Sequence, residues 1–231
     1  MIDFFRKVKC WSYVNMVRIL NLTELYQPSY NRQNYIFLKA DKIKRDSDDR
    51  VRAIQDNIVS SKVSTYLDIG SQLGYFVLKL SELNKFTDAQ GFEMNQTSCA
   101  YANALVCLNN VNNVSFINCK VTHDLIHKTP SFDMISFLNV FHHIVHFEGF
   151  DEADAVMREL YNKTNEYFIF ETGQFDEKGY YWTDSLSFMG ANPVSWIHDY
   201  LIQIGYKSVE IVNNFPTHLS GQTRAFLVCR K

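Results

Sequence analysis

Between Met1 and about Leu22, apolar residues recur at Ile2, Phe5, Val8, Val14, Val17 and Leu20, with Arg6, Lys7, Lys9 and Arg18 among them. This spacing predicts an amphipathic helix, which would dock on a core through its apolar stripe or, alternatively, lie on a membrane surface. A polar, turn-rich stretch from Gln27 to Asn31 leads into the charged run Lys42 to Arg52, which reads as a solvated helix face. From Val63 the pattern changes to short apolar runs separated by helical periodicity, the mark of repeated βα units and a parallel sheet. The runs predict strands at Ser64–Ile69, Ala89–Glu93, Val114–Asn118, Met134–Leu138 and Tyr167–Glu171. Helices are predicted near Tyr75–Leu83, Gln96–Leu108, Asp151–Lys163 and Pro193–Ile204. Ser208–Val212 and Ala225–Cys229 have a turn-like Ser220-Gly221 between them and no room for a crossover helix, so they should pair antiparallel.

At 231 residues and 27.0 kDa the chain holds one α/β core with a modest extension rather than two full domains. The division expected is a helical extension over residues 1–60 and a main domain over 61–231. A formal net charge of −2 and a pI near 6.4 give no strong nucleic-acid signal, since phosphate contacts need clustered Lys and Arg. The five cysteines show neither a CxxC pair nor zinc-ligand spacing, which favours a reducing compartment. No apolar run is long enough to span a bilayer, and the start lacks the order of a secretory signal, so a cytoplasmic location is expected.

Chemistry enters at Thr65-Tyr66-Leu67-Asp68-Ile69-Gly70-Ser71-Gln72-Leu73-Gly74-Tyr75-Phe76, a strand running into a glycine turn that opens a helix. Gly70 permits a tight turn and a close approach to a ligand, and Gly74 permits close packing of helix on strand. A nicotinamide or flavin site would share these glycines. Asp68 shifts the balance, because a carboxylate there suits a cationic or hydroxyl-bearing ligand and repels a pyrophosphate; the full GxGxxG pattern is also missing. The ligand best suited is S-adenosylmethionine. Glu93, followed by Met94, ends the second strand where a carboxylate can accept both ribose hydroxyls.

Beyond the fourth strand comes Asn139-Val140-Phe141-His142-His143-Ile144-Val145-His146. Ligands of such sheets sit past the carboxyl ends of the strands, so Asn139 to His143 should lie beside the cofactor's methyl. On a helix, His142 and His146 would share a face while His143 points elsewhere. No acidic partner of the HExxH kind accompanies them, so no metal is expected, and His142 or His143 is the candidate general base.

Leu67 to Phe76, Val140 to His146, the pair Tyr181-Trp182 and Thr217-His218-Leu219-Ser220 together resemble class I S-adenosylmethionine-dependent methyltransferases. The resemblance is to the methyltransferase domain of the methyltransferase-kinases that terminate polymannose O-antigen chains, and it runs from about Tyr26 onward. It implies a Rossmann-like fold with a mostly parallel seven-stranded sheet, an antiparallel last strand and the N-terminal helical extension. It also implies S-adenosylmethionine as cofactor and S-adenosylhomocysteine as product. By position it makes Asp68, Gly70, Ser71 and Gly74 the methionine-side loop, Glu93 and Met94 the ribose side, and Lys120-Val121 the adenine flank, with Asn139 beside the cofactor. Thr122 and His123 follow where many relatives carry an acid. In the resembled enzymes the methyl goes onto a glycan phosphate placed by a kinase domain. The resemblance covers only their methyltransferase part, which leaves the acceptor open between a hydroxyl and a phosphate.

A hydroxyl acceptor calls for His142 or His143 as base; a phosphate calls for cationic or donor groups, for which Arg50, His218 and Arg224 are the candidates. Tyr181 and Trp182 could stack on a sugar or pack in the core. The expectation is therefore an O-methyltransferase acting on a small molecule, sugar or glycan-linked phosphate. The alternatives are a methyltransferase for protein or RNA and a non-catalytic nucleoside-binding module. The sequence does not fix an oligomeric state.

Overall fold

In a computed structural model, residues 2–23, 27–35, 38, 46–217 and 222–231 are described. They fall into two compact units, residues 1–51 with 64–120 and residues 52–63 with 121–231.

The first unit is built on three parallel strands in the order β3-β2-β1, namely β1 (Thr65–Ile69), β2 (Asp88–Glu93) and β3 (Val114–Asn118). Their register sets Gly91 beside Asp68 and Asn118 beside Glu93, which gathers the strand ends that carry the glycine loop. Helix α3 (Tyr75–Asn84) starts from Gly74, whose φ of +76° only glycine adopts without strain. Helix α4 (Gln96–Asn109) is capped by Asn95, whose side chain accepts the Ser98 N–H at 2.9 Å, and it stops at Asn110 in the left-handed region. Against α4 lies α1 (Ile2–Ile19), which buries Val14 and Val17. The segment that follows is fastened to α4 by hydrogen bonds. Ser29 Oγ bonds Tyr101 Oη at 2.7 Å, Tyr35 Oη donates to the Leu108 carbonyl at 3.0 Å, and Asn109 Nδ2 donates to the Tyr30 carbonyl at 3.2 Å.

The second unit has the order β4-β5-β7-β6, from β4 (Phe132–Leu138), β5 (Thr164–Glu171), β6 (Ser208–Pro216) and β7 (Thr223–Arg230). β4 and β5 are parallel, and β7 runs antiparallel to both β5 and β6. Met134, Ile135 and Phe137 are fully buried, as continuous apolar strands covered on both faces must be. Around them stand α5 (His123–Lys128), α6 (Phe141–Glu148), α7 (Phe150–Lys163) and α8 (Pro193–Ile204). Asn192 caps α8 with Pro193 in its first turn, and Gly205 ends it.

The seven strands, mostly parallel with the last one antiparallel, are those expected, as is the N-terminal helix. One reading changes. The helix drawn from the charged run is α2 (Ser47–Asn57), and it is not solvated all round: Ser47, Arg50, Val51 and Ile54 are buried, because its apolar positions recur at helical spacing behind the charges. The turn at Ser220-Gly221 lies outside the described residues, although the antiparallel pairing it was inferred to join is present.

Candidate functional site

In the first unit the chain after β1 turns sharply, with Gly70 at φ +78° and Gln72 at +49°. The amides of Gly70 and Ser71 both donate to the Phe92 carbonyl, at 2.8 and 3.0 Å, and Gly74 N–H closes the turn on Ser71 O at 2.8 Å. Glu93 is held by two backbone donors, Gln72 N–H on Oε2 at 2.8 Å and Asn95 N–H on Oε1 at 2.7 Å. A carboxylate oxygen has a second lone pair, so each still accepts a hydroxyl while the group is fixed in direction. Asp68 is buried at the end of β1, and Ser71 Oγ is fully buried without a hydrogen-bond partner.

Gly74 and Gly91 serve packing. A Cβ on Gly74 would sit 2.3 Å from the Phe116 ring, and one on Gly91 would meet the same ring at 2.4 Å and Ser71 Oγ at 2.6 Å. Phe116 of β3 is thus wedged against both glycines. Met94 is exposed, as is Lys120 beyond β3, and Val121 is half-buried. Arg50 is buried on α2 and donates from Nη1 to the Asp46 carbonyl at 3.4 Å.

In the second unit the end of β4 and the chain after β5 form a buried polar network. Asn139, left-handed at φ +62°, donates its amide to the Glu171 carbonyl at 2.6 Å and its Nδ2 to Glu171 Oε1 at 3.1 Å. Its Oδ1 accepts from Arg224 Nη1 at 2.6 Å. The same guanidinium donates from Nε and Nη2 to Glu177, both at 2.7 Å, and lies 5.5 Å over Tyr180 and 5.3 Å over Trp182. Glu177 Oε1 accepts the Gln174 amide at 2.8 Å as well. Arg224 is 4% exposed and Glu177 1%. Arg224 is therefore an ion-paired structural cation holding Asn139, rather than one left open for a phosphate.

All three histidines of α6 face the segment from Thr172 to Ser185. His142 is buried, and its Nδ1 accepts the Gly173 N–H at 2.9 Å with Thr172 Oγ1 at 3.2 Å. An amide N–H can only donate, so Nδ1 carries no proton and the neutral ring keeps its proton on Nε2. In that tautomer His142 is a hydrogen-bond donor, not a base. His143 Nδ1 lies 2.9 Å from Tyr181 Oη, and His146 Nδ1 2.9 Å from Ser185 Oγ. The run is helical, and the rings of the sequence neighbours His142 and His143 stand 4.2 Å apart. Trp182 is buried against Gly173, where a Cβ would fall 2.4 Å from its ring, and Tyr181 is exposed. His218, in Thr217-His218-Leu219-Ser220, lies outside the described residues.

Sequence reasoning missed Glu171, Thr172, Gln174 and Glu177. Their position past the end of a parallel strand was the available signal.

No protein-family model matches the sequence, and no curated protein does so significantly. Solved structures do match in fold. A crystal structure of WbdD matches with a TM-score of 0.75 and 24% identity, covering 94% of this chain and 46% of that one. WbdD co-crystallised with the kinase inhibitor LY294002 gives 0.77 and 25%, covering 94% and 47%. The magnesium protoporphyrin IX methyltransferase ChlM from Synechocystis PCC 6803, with bound SAM, gives 0.55 and 12%, covering 80% and 77%. The fold is that of class I S-adenosylmethionine-dependent methyltransferases. The chain resembles WbdD, described as a bifunctional kinase-methyltransferase, and spans about half the length of the WbdD chains it matches. Among the described residues, no helix of this methyltransferase fold is long and apolar enough to cross a membrane.

Proposed function

We propose that the chain is an S-adenosylmethionine-dependent O-methyltransferase whose acceptor is a hydroxyl of a small molecule, sugar or glycan. The observation that carries the cofactor reading is Glu93, buried at the end of β2 and aimed by the amides of Gln72 and Asn95. Asp68 and the partnerless Ser71 hydroxyl fit the amino-acid end of the cofactor, and Glu93 fits its ribose. The cofactor, when bound, supplies a methyl group on a sulfonium for in-line displacement. The protein's part is then alignment, exclusion of water and removal of one proton.

His143 is our choice for that proton. The tautomer that donates Nδ1–H to Tyr181 Oη makes Nε2 the basic nitrogen of His143, while His142, whose Nδ1 accepts from Gly173, carries its proton on Nε2. Desolvation holds the Tyr181 phenol above its ordinary pKa, so it stays protonated beside His143. The hydroxyl is favoured over a phosphate by the buried network, where Arg224 is already paired with both oxygens of the Glu177 carboxylate and bonded to Asn139.

Titration calorimetry with S-adenosylhomocysteine and, separately, NAD tests the cofactor. Tight binding of the first and none of the second is expected, and Glu93→Ala should lose about 2–4 kcal/mol, the scale of two charge-assisted hydrogen bonds. An effect below about 0.5 kcal/mol would remove Glu93 from the ribose site. Labelled cofactor with free and phosphorylated sugars then separates the acceptor classes.

A further inference from the structure

Helix α1 is apolar on two sides. Val14 and Val17 are buried in the direction of α4, whereas Phe4, Phe5, Val8, Trp11, Met16 and Ile19 are exposed, Phe4 to 67% and Ile19 to 76%. At about 100° per residue these six fall within an arc of about 140°, from Trp11 through Phe4, Val8 and Ile19 to Phe5 and Met16. Only Asn15 and Ser12 interrupt it. Lys9 stands at one margin of the arc and Arg18 and Lys7 at the other, with Arg6 further round. Over Ile2–Ile19 the helix carries four basic residues and one acidic one, Asp3, in a chain whose net charge is −2. Positive charge is thus concentrated at the margins of an exposed apolar face.

We propose that this face of α1 docks on an anionic lipid surface, with the helix in the plane of the interface. Bulky aromatic and aliphatic side chains enter the boundary between headgroups and acyl chains, and flanking Lys and Arg meet lipid phosphates through flexible stems. A second copy of the chain fits the face poorly. Two such helices packed face to face would bring their basic margins together, and Phe4 to Ile19 holds no acidic side chain to offset them. The helix lies on the bilayer and does not span it: it is too short and too charged. The inference is independent of the methyltransferase reading.

The test is flotation of the full chain with vesicles of phosphatidylcholine alone and of phosphatidylcholine with about one-third phosphatidylglycerol. Binding to the anionic vesicles only, weakened by salt, is expected. Lys9→Glu should weaken it by at least about fivefold, the effect of one cation near an anionic surface. Phe4→Glu with Val8→Glu should abolish binding with unchanged circular dichroism, both side chains being exposed. Absence of binding to anionic vesicles, or equal binding by the double variant, overturns the proposal. So does a concentration-dependent dimer that the double variant dissociates, which would assign the face to a second copy. Cofactor calorimetry on the same variants should be unchanged, so failure of either reading is seen separately.

Discussion

Replacing Glu177 by Ala strips two of the three hydrogen bonds from the buried Arg224 guanidinium, those from Nε and Nη2 at 2.7 Å, and leaves the one to Asn139. It also removes the acceptor of the Gln174 amide. Breaking a buried pair by deleting one partner costs about 3–5 kcal/mol, because the surviving charge stays desolvated. The rings of Tyr180 and Trp182 still face the cation and offset part of this, on the order of 1 kcal/mol, which puts the loss near the lower bound. A loss of about 3 kcal/mol corresponds to about 6–12 °C in Tm for a chain of this size. Urea denaturation of wild type, Glu177→Ala, Arg224→Leu and the double variant Glu177→Ala/Arg224→Leu forms a mutant cycle. The double variant should be markedly more stable than the two single losses imply, since it buries no lone charge. Additive losses, or a Glu177→Ala loss below about 1 kcal/mol, would show that the pair is not a desolvated unit.

Three further outcomes follow from the same geometry. Gly74→Ala should lose about 2–4 kcal/mol in urea denaturation, combining a left-handed alanine with a Cβ driven 2.3 Å from the Phe116 ring; a near-neutral result would mean that the ring moves freely. His143→Gln should lower turnover by about 10²–10⁴ and remove the acid limb of the pH profile, and a surviving limb would exclude His143 as the base. His142→Gln should instead raise KM for the acceptor while keeping that limb, because its Nδ1 is committed to Gly173; loss of the limb would reverse the assignment.

The strands and most helices were legible in the sequence, since apolar runs of strand length alternate with 3.6-residue periodicity and with turn residues. The positions of Asp68 and Glu93 were legible for the same reason, Asp68 standing next to the end of one such run and Glu93 at the end of another. Local pattern hides what depends on backbone donors or distant pairing. The amides of Gln72 and Asn95 that aim Glu93 carry no side-chain signature. Arg224 meets Glu177 across 47 positions, and nothing near either residue announces the other. Arg50 read as one charge in a charged run because its burial is decided by the face of α2 on which it stands. The tautomer of His142 depends on a single amide after β5, a matter of coordinates rather than composition.

One carboxylate stitches the turn after β1 to the first residue before α4, through Gln72 and Asn95. The loop is consequently assembled before a ligand arrives, and little chain entropy is left to be lost on association. Stopped-flow mixing with a fluorescent nucleoside should then show one exponential phase whose rate climbs linearly with concentration, without the plateau that a slow ordering step imposes.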